Sequence, residues 1–350
     1  MSIERSDVTK VLAGGSLLLG GGTLGLLSQS APAAAATIEV TNENDAGAGS
    51  LRYAIDNSSS GDVITFASNV HSIQLTSGRL SILHSLTVQG PGAAAVTVRG
   101  GSPVNQIFYV YDQATMLDVT ISGLTLTGAL QNAIVNWNEN LTLDSLDVVD
   151  NVTATDPNGA AVLHIGNSNG GGSTLTITNC NFSGNEGILG GALNINTTGY
   201  GSSATITGST FMNNRTRNDV GSGDFGIGAG IRIMASTGYT GAASVTVADT
   251  LIEGNTNPVG NPYGVGIAVR ADTSDPQLEP AVDVTLDRVS VIGNTGEAAI
   301  SDQANGVLTI RQSTISGNSL LGVQSLPLSR AGQSVQFEHS TIAGNGGQAL

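Results

Sequence analysis

Charged side chains and a tyrosine occupy three segments that each follow a recurring asparagine. The segments run over 156–159, 215–227 and 256–263, and they carry Asp156, Arg215, Arg217, Asp219, Asp224 and Tyr263. A guanidinium binds a carboxylate through two parallel hydrogen bonds, and a positioned basic group can remove a proton. The pattern predicts a surface that binds an acidic sugar or supports its elimination. The alternative is that these residues are solvated loop charges.

A second set of loop residues follows the next strand of each repeat. The tripeptide Thr-Gly-Tyr occurs at Tyr200 and at Tyr239, and the segment 271–280 contains Asp272, Asp275 and Glu279. Tyrosine rings can stack on sugar rings, and carboxylates are the oxygen ligands that Ca²⁺ takes in proteins. The acid spacing matches no defined calcium loop. We therefore expect no bound cofactor, with calcium as the alternative.

The sequence offers few other reactive groups. His71, His84, His164 and His339 are isolated from one another, and we expect structural or surface roles for them. Cys180 is the single cysteine, so it cannot form an internal disulfide. It is either a reactive thiol or a small buried residue, and the second is favoured because the matching positions in other repeats hold Leu146, Ser209, Thr250, Val289 and Ser313.

A repeat must position these residues. Seven copies share one internal spacing: an alternating apolar and polar strand, a small residue, a second apolar position, and then asparagine after two further residues. The copies cover 141–151, 175–185, 204–214, 245–255, 284–294, 308–318 and 335–345. A glycine-rich step into another short apolar strand follows most of them, for example at 190–195 and 228–233. Repeats of this length indicate a stacked array.

The strands are too short, and the segments between them too poor in helical periodicity, for a fold with crossover helices. Successive turns must therefore stack on each other as a parallel β-helix, with coils about 4.8 Å apart. We predict that the recurring asparagines form a ladder in which each side-chain amide bonds the next, and that asparagine adopts the left-handed conformation of the bend. The ladder comprises Asn151, Asn185, Asn214, Asn255, Asn294, Asn318 and Asn345. Apparent glycosylation sequons at Asn151, Asn181 and Asn214 are then by-products of turn chemistry.

The ends of such a stack need cover. Ser50 can cap a short helix that places Leu51, Ala54 and Ile55 on one face, so we expect residues 37–85 to form an N-terminal cap and the first coils, and 86–350 to form the repeats. The sequence stops within a coil at Leu350. We expect further chain or another molecule to cover that edge.

Residues 1–36 pass from a charged start through an apolar stretch to an alanine-rich run, which predicts a secretory signal peptide cleaved near Ala36. A membrane anchor is the alternative, but the apolar stretch is short for a span. The whole chain has 350 residues, 27 acidic and 12 basic side chains and a net charge of −15. Because Lys10 is the single lysine, the composition disfavours a nucleic-acid partner.

Two resemblances follow from particular segments. The stretch 41–55 (TNENDAGAGSLRYAI) with 61–66 (GDVITF) resembles the opening of secreted bacterial right-handed parallel β-helix proteins of the pectate-lyase-like superfold. The segments FSGN with GGAL and FMNN with GAGI are similar to repeats of chlamydial polymorphic outer membrane proteins. The first resemblance implies an all-β, right-handed parallel β-helix. The second implies a role in adhesion at a cell surface.

The β-helix fold is shared by pectate lyases, polygalacturonases and uronan epimerases, so an enzyme must be considered. The motifs expected for a polygalacturonase are absent from the sequence. We therefore predict a secreted or cell-surface protein that presents loops for binding, to carbohydrate or another cell. The alternatives are a lyase, hydrolase or epimerase acting on acidic glycans, and a purely structural spacer.

Overall fold

A computed structural model describes residues 34–102, 105–153, 159–166, 172–197, 202–217, 227–235, 243–258, 263–271, 281–325 and 333–347. The chain divides into a first unit, Met1–Ala34, and a second, Ala35–Leu350. The predicted signal peptide lies almost wholly outside the described residues. Among the described residues, no helix has the length and apolarity needed to cross a bilayer.

The described part of Ala35–Leu350 contains one short helix, α1 (Leu51–Asp56), and otherwise strands. The strands up to the middle of the chain are β1 (Thr37–Val40), β2 (Val63–Phe66), β3 (Ser72–Gln74), β4 (Leu80–Ile82), β5 (Leu86–Gln89), β6 (Thr97–Arg99), β7 (Phe108–Val110), β8 (Asp118–Ser122), β9 (Thr125–Thr127), β10 (Ile134–Trp137), β11 (Asn140–Asp144), β12 (Asp147–Val149), β13 (Val162–Ile165), β14 (Thr174–Thr178), β15 (Asn181–Ser183) and β16 (Glu186–Gly187). The remaining strands are β17 (Leu193–Asn196), β18 (Ser203–Thr207), β19 (Thr210–Met212), β20 (Arg215–Thr216), β21 (Ile231–Ala235), β22 (Ala243–Ala248), β23 (Leu251–Glu253), β24 (Gly264–Ala271), β25 (Val282–Asp287), β26 (Ser290–Ile292), β27 (Ala298–Gln303), β28 (Gly306–Arg311), β29 (Thr314–Ser316), β30 (Leu321–Ser325), β31 (Gln333–Glu338) and β32 (Thr341–Ala343).

These strands form three long parallel sheets. Sheet A has the order β1-β2-β5-β8-β11-β14-β18-β22-β25-β28-β31, sheet B runs from β3 to β32, and sheet C runs from β4 to β30. A short fourth sheet pairs β16 with β20. Each coil visits A, then B, then C, and each strand pairs in parallel with its counterpart in the next coil. The predicted parallel β-helix is confirmed.

The alternating sequence pattern sets which side chains fill the coil interior. In β14 the residues Leu175 and Ile177 are buried between threonines that are not, and the same alternation recurs along sheet A because successive strand residues point to opposite faces. Apolar columns therefore run along the axis. One of them contains a parallel stack of Phe182 on Phe211, with ring centroids 4.6 Å apart.

The segment that the repeat pattern describes, from the alternating strand to the asparagine, contains two strands. From β8 onward, each described connection from sheet A to sheet B is two residues long, as at Ser145 and Leu146. The first residue of these corners has a positive φ, for example 53° at Asn179 and 49° at Asp249. Polar residues and glycine tolerate this conformation, so the chain turns without a longer loop.

The ladder asparagines lie one over another, and each donates to the next. Asn151 Nδ2 lies 3.0 Å from Asn185 Oδ1, and the same bond recurs through Asn214, Asn255, Asn294 and Asn318 to Asn345. Each acceptor oxygen also receives the backbone N–H of the preceding asparagine, as between Asn185 N and Asn214 Oδ1 at 3.0 Å. The remaining amide hydrogen reaches a main-chain carbonyl, so the six buried amides are satisfied.

The conformational part of the asparagine prediction is wrong. None of the ladder asparagines has a positive φ; the residue before each one has it, as at Asp150 with 53° and Gly184 with 65°. The residue before each asparagine therefore makes the bend, and the asparagine side chain stabilises it through hydrogen bonds. Because Asn151 and Asn214 are fully buried, their sequons are products of the ladder.

Cys180 occupies a second polar column inside the A-to-B corner. It is buried, and burial raises the pKa of its thiol to about 12. Its backbone N–H donates to Ser209 Oγ at 3.1 Å, the bond that Val289 makes to Ser313 three corners further on. The small buried role is confirmed.

The N-terminal helix lies at the start of the stack. The Ser50 side chain accepts the Tyr53 N–H at 3.1 Å and caps α1, as predicted. Leu51, Ala54 and Ile55 are buried on one face, and α1 contacts β1 and β4, the terminal strands of sheets A and C. The helix therefore covers this end of the core.

Candidate functional site

From β8 onward, variation in connection length is confined to the two sides of sheet C. The corners from sheet A to sheet B are constant over these coils, whereas the connections into and out of sheet C vary, as from β13 to β14 and from β24 to β25. In the first coils the A-to-B connections are longer, at 67–71 and 90–96. Variable connections carried on a rigid scaffold are where binding residues concentrate. The outer face of sheet C and its flanking connections are therefore the candidate binding surface.

Aromatic side chains follow the same distribution. By place in the chain, the single tryptophan and every tyrosine except Tyr53 lie in sheet C or in the connections beside it: Tyr109, Tyr111, Trp137, Tyr200, Tyr239 and Tyr263. Tyr109 and Tyr111 meet edge to face with centroids 6.1 Å apart, and the Arg79 guanidinium lies 3.5 Å from the Tyr109 centroid. Trp137 is 38% exposed. The early coils thus carry an aromatic platform, defined as Tyr109, Tyr111 and Trp137.

A groove of about 500 Å³ beside the platform is polar. It is lined by Tyr111, Met116, Glu139 and neighbouring residues of 112–115. Glu139 is buried, and its two carboxylate oxygens accept the N–H groups of Asp112 at 2.8 Å and Leu117 at 2.6 Å. Burial raises the pKa of this carboxyl above its ordinary value. Glu139 therefore fixes the shape of the 112–117 loop against the platform.

A second groove of about 500 Å³ lies where sheet B connects to sheet C in the middle coils. Arg215 Nε donates to Glu186 Oε2 at 2.7 Å, and Arg217 Nε lies 3.2 Å from Glu186 Oε1. Thr256, Asn257 and Pro258 complete its lining. One carboxylate thus holds two guanidinium groups on the groove wall.

This groove continues toward sheet C. Asn257 accepts the Thr216 hydroxyl at 2.7 Å and donates to the Tyr263 carbonyl at 3.5 Å. The Arg270 guanidinium lies 4.4 Å from the centroid of the Tyr263 ring. On the neighbouring coil, the buried Arg232 donates to Asn194 Oδ1 at 2.8 Å. A chain of guanidinium, amide and aromatic groups therefore links the groove to the outer face of the sheet.

The structure brings together three of the predicted loop residues. Arg215 and Arg217 line the middle-coil groove, and the Tyr263 carbonyl accepts from Asn257 in its wall. Arg215 was expected in a loop but lies in β20, paired with Glu186 in β16. The other predicted loop residues lie outside the described residues: Asp156, Asp219, Asp224, Tyr200 and Tyr239.

The partner of the two arginines, Glu186, was not predicted. It comes directly after the ladder residue Asn185, as Arg215 comes directly after Asn214. Aligning the repeats on their asparagines would have placed this acid opposite this base. The predicted acidic segment with Asp272, Asp275 and Glu279 lies outside the described residues, and within those that are described no cluster of three metal-binding side chains occurs.

His164 has a structural setting. It lies in the interior column of sheet C, where its Nδ1 is 2.8 Å from Asn136 Nδ2. Burial lowers the pKa of the ring to about 4, so the imidazole is neutral at pH 7. At the surface of the cap, His84 Nε2 lies 2.9 Å from the Ser58 hydroxyl.

Comparisons with known proteins give structural likeness at low identity. No protein-family model and no curated protein sequence matches this chain. Among solved structures, pectate lyase Pel9A is 13% identical, with a TM-score of 0.48 over 90% of this chain and 78% of that one. An alginate lyase from Paenibacillus sp. is 16% identical, with a TM-score of 0.41 over 87% and 99%. A GH87 α-1,3-glucanase catalytic unit from Streptomyces thermodiastaticus is 18% identical, with a TM-score of 0.37 over 91% and 70%. The activities in these names belong to those proteins.

Proposed function

We propose that this protein is a secreted or cell-surface β-helix that binds carbohydrate along the outer face of sheet C. The observation that carries the proposal is the shared placement, beside sheet C, of the variable connections from β8 onward and of the described residues Tyr109, Tyr111, Trp137 and Tyr263. A sugar presents a flat apolar face and a polar rim. Aromatic rings stack on the first, while arginine and asparagine groups hydrogen-bond the second.

The two described regions of this face suit different parts of a chain-like ligand. The aromatic platform supplies stacking surface at the early coils, where Trp137 is accessible. The middle-coil groove supplies guanidinium groups from Arg215 and Arg217, which favour sugars that carry carboxylates. We infer that the preferred ligand is an acidic polysaccharide lying along the helix axis.

Binding is tested by affinity electrophoresis of the purified chain in gels that contain neutral or acidic polysaccharides, with and without calcium. Trp137→Ala combined with Tyr111→Ala should weaken retardation about tenfold or more, because the stacking surface is lost. Tyr53→Ala is the matched control, since Tyr53 is an exposed tyrosine on α1 and should leave retardation unchanged. No retardation of the unaltered chain by any glycan would overturn the proposal in favour of a spacer.

Cleavage is separated from binding in the same samples. Incubation with uronate polymers should produce no ultraviolet absorbance from unsaturated products. An absorbance increase that Arg217→Ala abolishes would replace the binding proposal by a lyase. Export is tested separately: amino-terminal sequencing of the protein recovered outside the producing cell should begin near Thr37.

A further inference from the structure

A single column of eight threonines lines the outer face of sheet A. In register from coil to coil are Thr87, Thr120, Thr142, Thr176, Thr205, Thr246, Thr285 and Thr309. The residues on either side of each threonine in its strand are buried in the core, as Leu141 and Leu143 are around Thr142. The column, here named the threonine face, therefore points away from the core.

The side chains of the threonine face differ in their exposure to solvent. Thr205 is exposed, and the other seven are half-buried. In the part of the chain that the structure describes, none of these hydroxyls has a hydrogen-bond partner in the protein, whereas Thr210 and Thr250 in other columns do. Each hydroxyl must therefore be satisfied from outside the protein.

The spacing of these groups is that of the sheet itself. Neighbouring strands place them about 4.8 Å apart along the axis, and alternate residues of one strand are about 6.7 Å apart. The spacing along the strand occurs where flanking positions also carry hydroxyls, as at Thr178 and Thr207 beside Thr176 and Thr205. Because threonine is β-branched, its side chain is rotationally stiff. The result is a fixed two-dimensional array of hydroxyl and methyl groups.

The threonine column itself is neutral, and charged residues stand beside it outside the central strands, as at Asp144 in β11 and Asp283 in β25. The chain carries a net charge of −15, yet no charged residue interrupts the column over eight coils. In the equivalent outward column of sheet B, Asp147, Asn181, Thr210 and Leu251 follow one another. The outward positions of the central strands β14, β18 and β22 contain only threonine, serine and alanine. Among the described outward positions of β14, β18 and β22 there is no aromatic ring, a group that a crystalline sugar surface would favour.

We propose that the threonine face binds ice. The surface of hexagonal ice presents uncharged water oxygens at fixed repeats close to those of the sheet, and a stiff array of hydroxyl and methyl groups can hold water in that arrangement before it freezes. From β8 onward the corners between sheet A and sheet B are only two residues long, so no long connection projects beside the central threonines at that edge. This surface is separate from the carbohydrate-binding face and does not depend on it.

The test measures partition of the full purified chain into slowly growing ice, together with thermal hysteresis and the shape of single ice crystals. The chain should be enriched in the ice fraction relative to an unrelated acidic protein. Thr205→Lys should reduce the enrichment at least fivefold, because a long charged side chain holds the lattice away. Thr314→Lys is the matched control: Thr314 is an exposed threonine on the outer face of sheet B, and its substitution should leave partition unchanged.

Circular dichroism and the unfolding midpoint verify that each variant retains the fold. Thr205→Val keeps the side-chain shape and removes the hydroxyl, so it probes the same surface with little change in packing; it should also reduce enrichment. Exclusion of the unaltered chain from ice, or equal losses in Thr205→Lys and Thr314→Lys, would overturn the proposal. Retention on crystalline cellulose or chitin without partition into ice would also overturn it, and would assign the array to a polysaccharide fibre.

Discussion

At the scale of single residues, the asparagine ladder shows how a polar side chain can be fully buried in an apolar stack. From Asn185 onward, each amide oxygen accepts two N–H groups from the preceding asparagine, and the six buried amide nitrogens each donate at least twice. A buried donor that loses its acceptor costs roughly 1–3 kcal/mol. The ladder is therefore stabilising because it is complete, and a gap within it is costly.

This gives a prediction for the middle of the ladder. Asn214→Ala removes the acceptor of both Asn185 donors and should lower the free energy of unfolding by about 3 kcal/mol. Asn345→Ala is the matched control, because Asn345 is only half-buried and water can replace its oxygen. Urea denaturation followed by circular dichroism measures both. Equal losses in the two variants would show that burial of the ladder contributes nothing.

The ladder was predictable from the sequence only in part. Its members were predictable because the spacing between strand and asparagine is constant. The left-handed residue before each asparagine was not, because glycine, aspartate and asparagine all occupy that position and no single residue type marks it. Similarly, Glu186 and Arg215 form a pair between coils, which becomes visible only when repeats are aligned.

At the scale of the elements, one carboxylate helps to hold the N-terminal helix to the first coil, beside the bonds from Arg52 to the Gly78 and Arg79 carbonyls. Asp45 accepts from Arg52 at 2.8 Å, from Thr76 at 3.1 Å and from the Ser77 hydroxyl. Burial alone would raise the pKa of Asp45, but the hydrogen bonds and charge of Arg52 and the two hydroxyls outweigh it and lower the pKa from 3.8 to about 2. A lowered pKa means that the folded state holds the charged form more strongly than the unfolded state does.

The stability that Asp45 contributes is therefore complete above pH 4 and disappears as the pH falls toward 2. Asp45→Asn should lower the thermal unfolding midpoint at pH 6, and its difference from the unaltered chain should shrink between pH 4 and pH 2. Asp56→Asn, at an exposed position of the same helix, serves as the control. A difference for Asp45→Asn that stays constant down to pH 2 would contradict the assignment.

The elements differ in how well the sequence predicts them. The strands of sheet A were recognisable from alternation, and α1 from its capping serine. The boundary between sheets A and B was missed, since a two-residue corner made by polar residues such as Asn179 and Asp249 leaves no glycine-rich gap. The connections beside sheet C were seen as insertions, but sequence alone did not show that both sets flank one sheet.

At the scale of the whole molecule, each coil contacts mainly its neighbours, so stability is a sum of coil and interface contributions rather than the property of one central core. The described strands at the far end have few neighbours. Phe337 in β31 is 38% exposed, whereas its partner Ile310 in β28 is fully buried. Local opening should therefore be easiest there.

Amide hydrogen exchange measures this gradient directly. Amides of β18 and β22 should exchange more slowly than those of β31 and β32 by roughly tenfold or more, because opening free energies rise with the number of packed neighbours. The amides of β1 should be protected as well, since α1 covers that end. Uniform protection from end to end would instead indicate a single cooperative unit.

The amide-to-amide hydrogen bonds of the asparagine ladder all point one way. From Asn151 to Asn318, every side-chain nitrogen donates to the asparagine of the coil that comes later in the sequence. A chain that winds from its amino end therefore always offers a donor to the segment that has yet to arrive. Each added coil therefore extends the series by supplying one acceptor oxygen to two N–H groups of the coil before it.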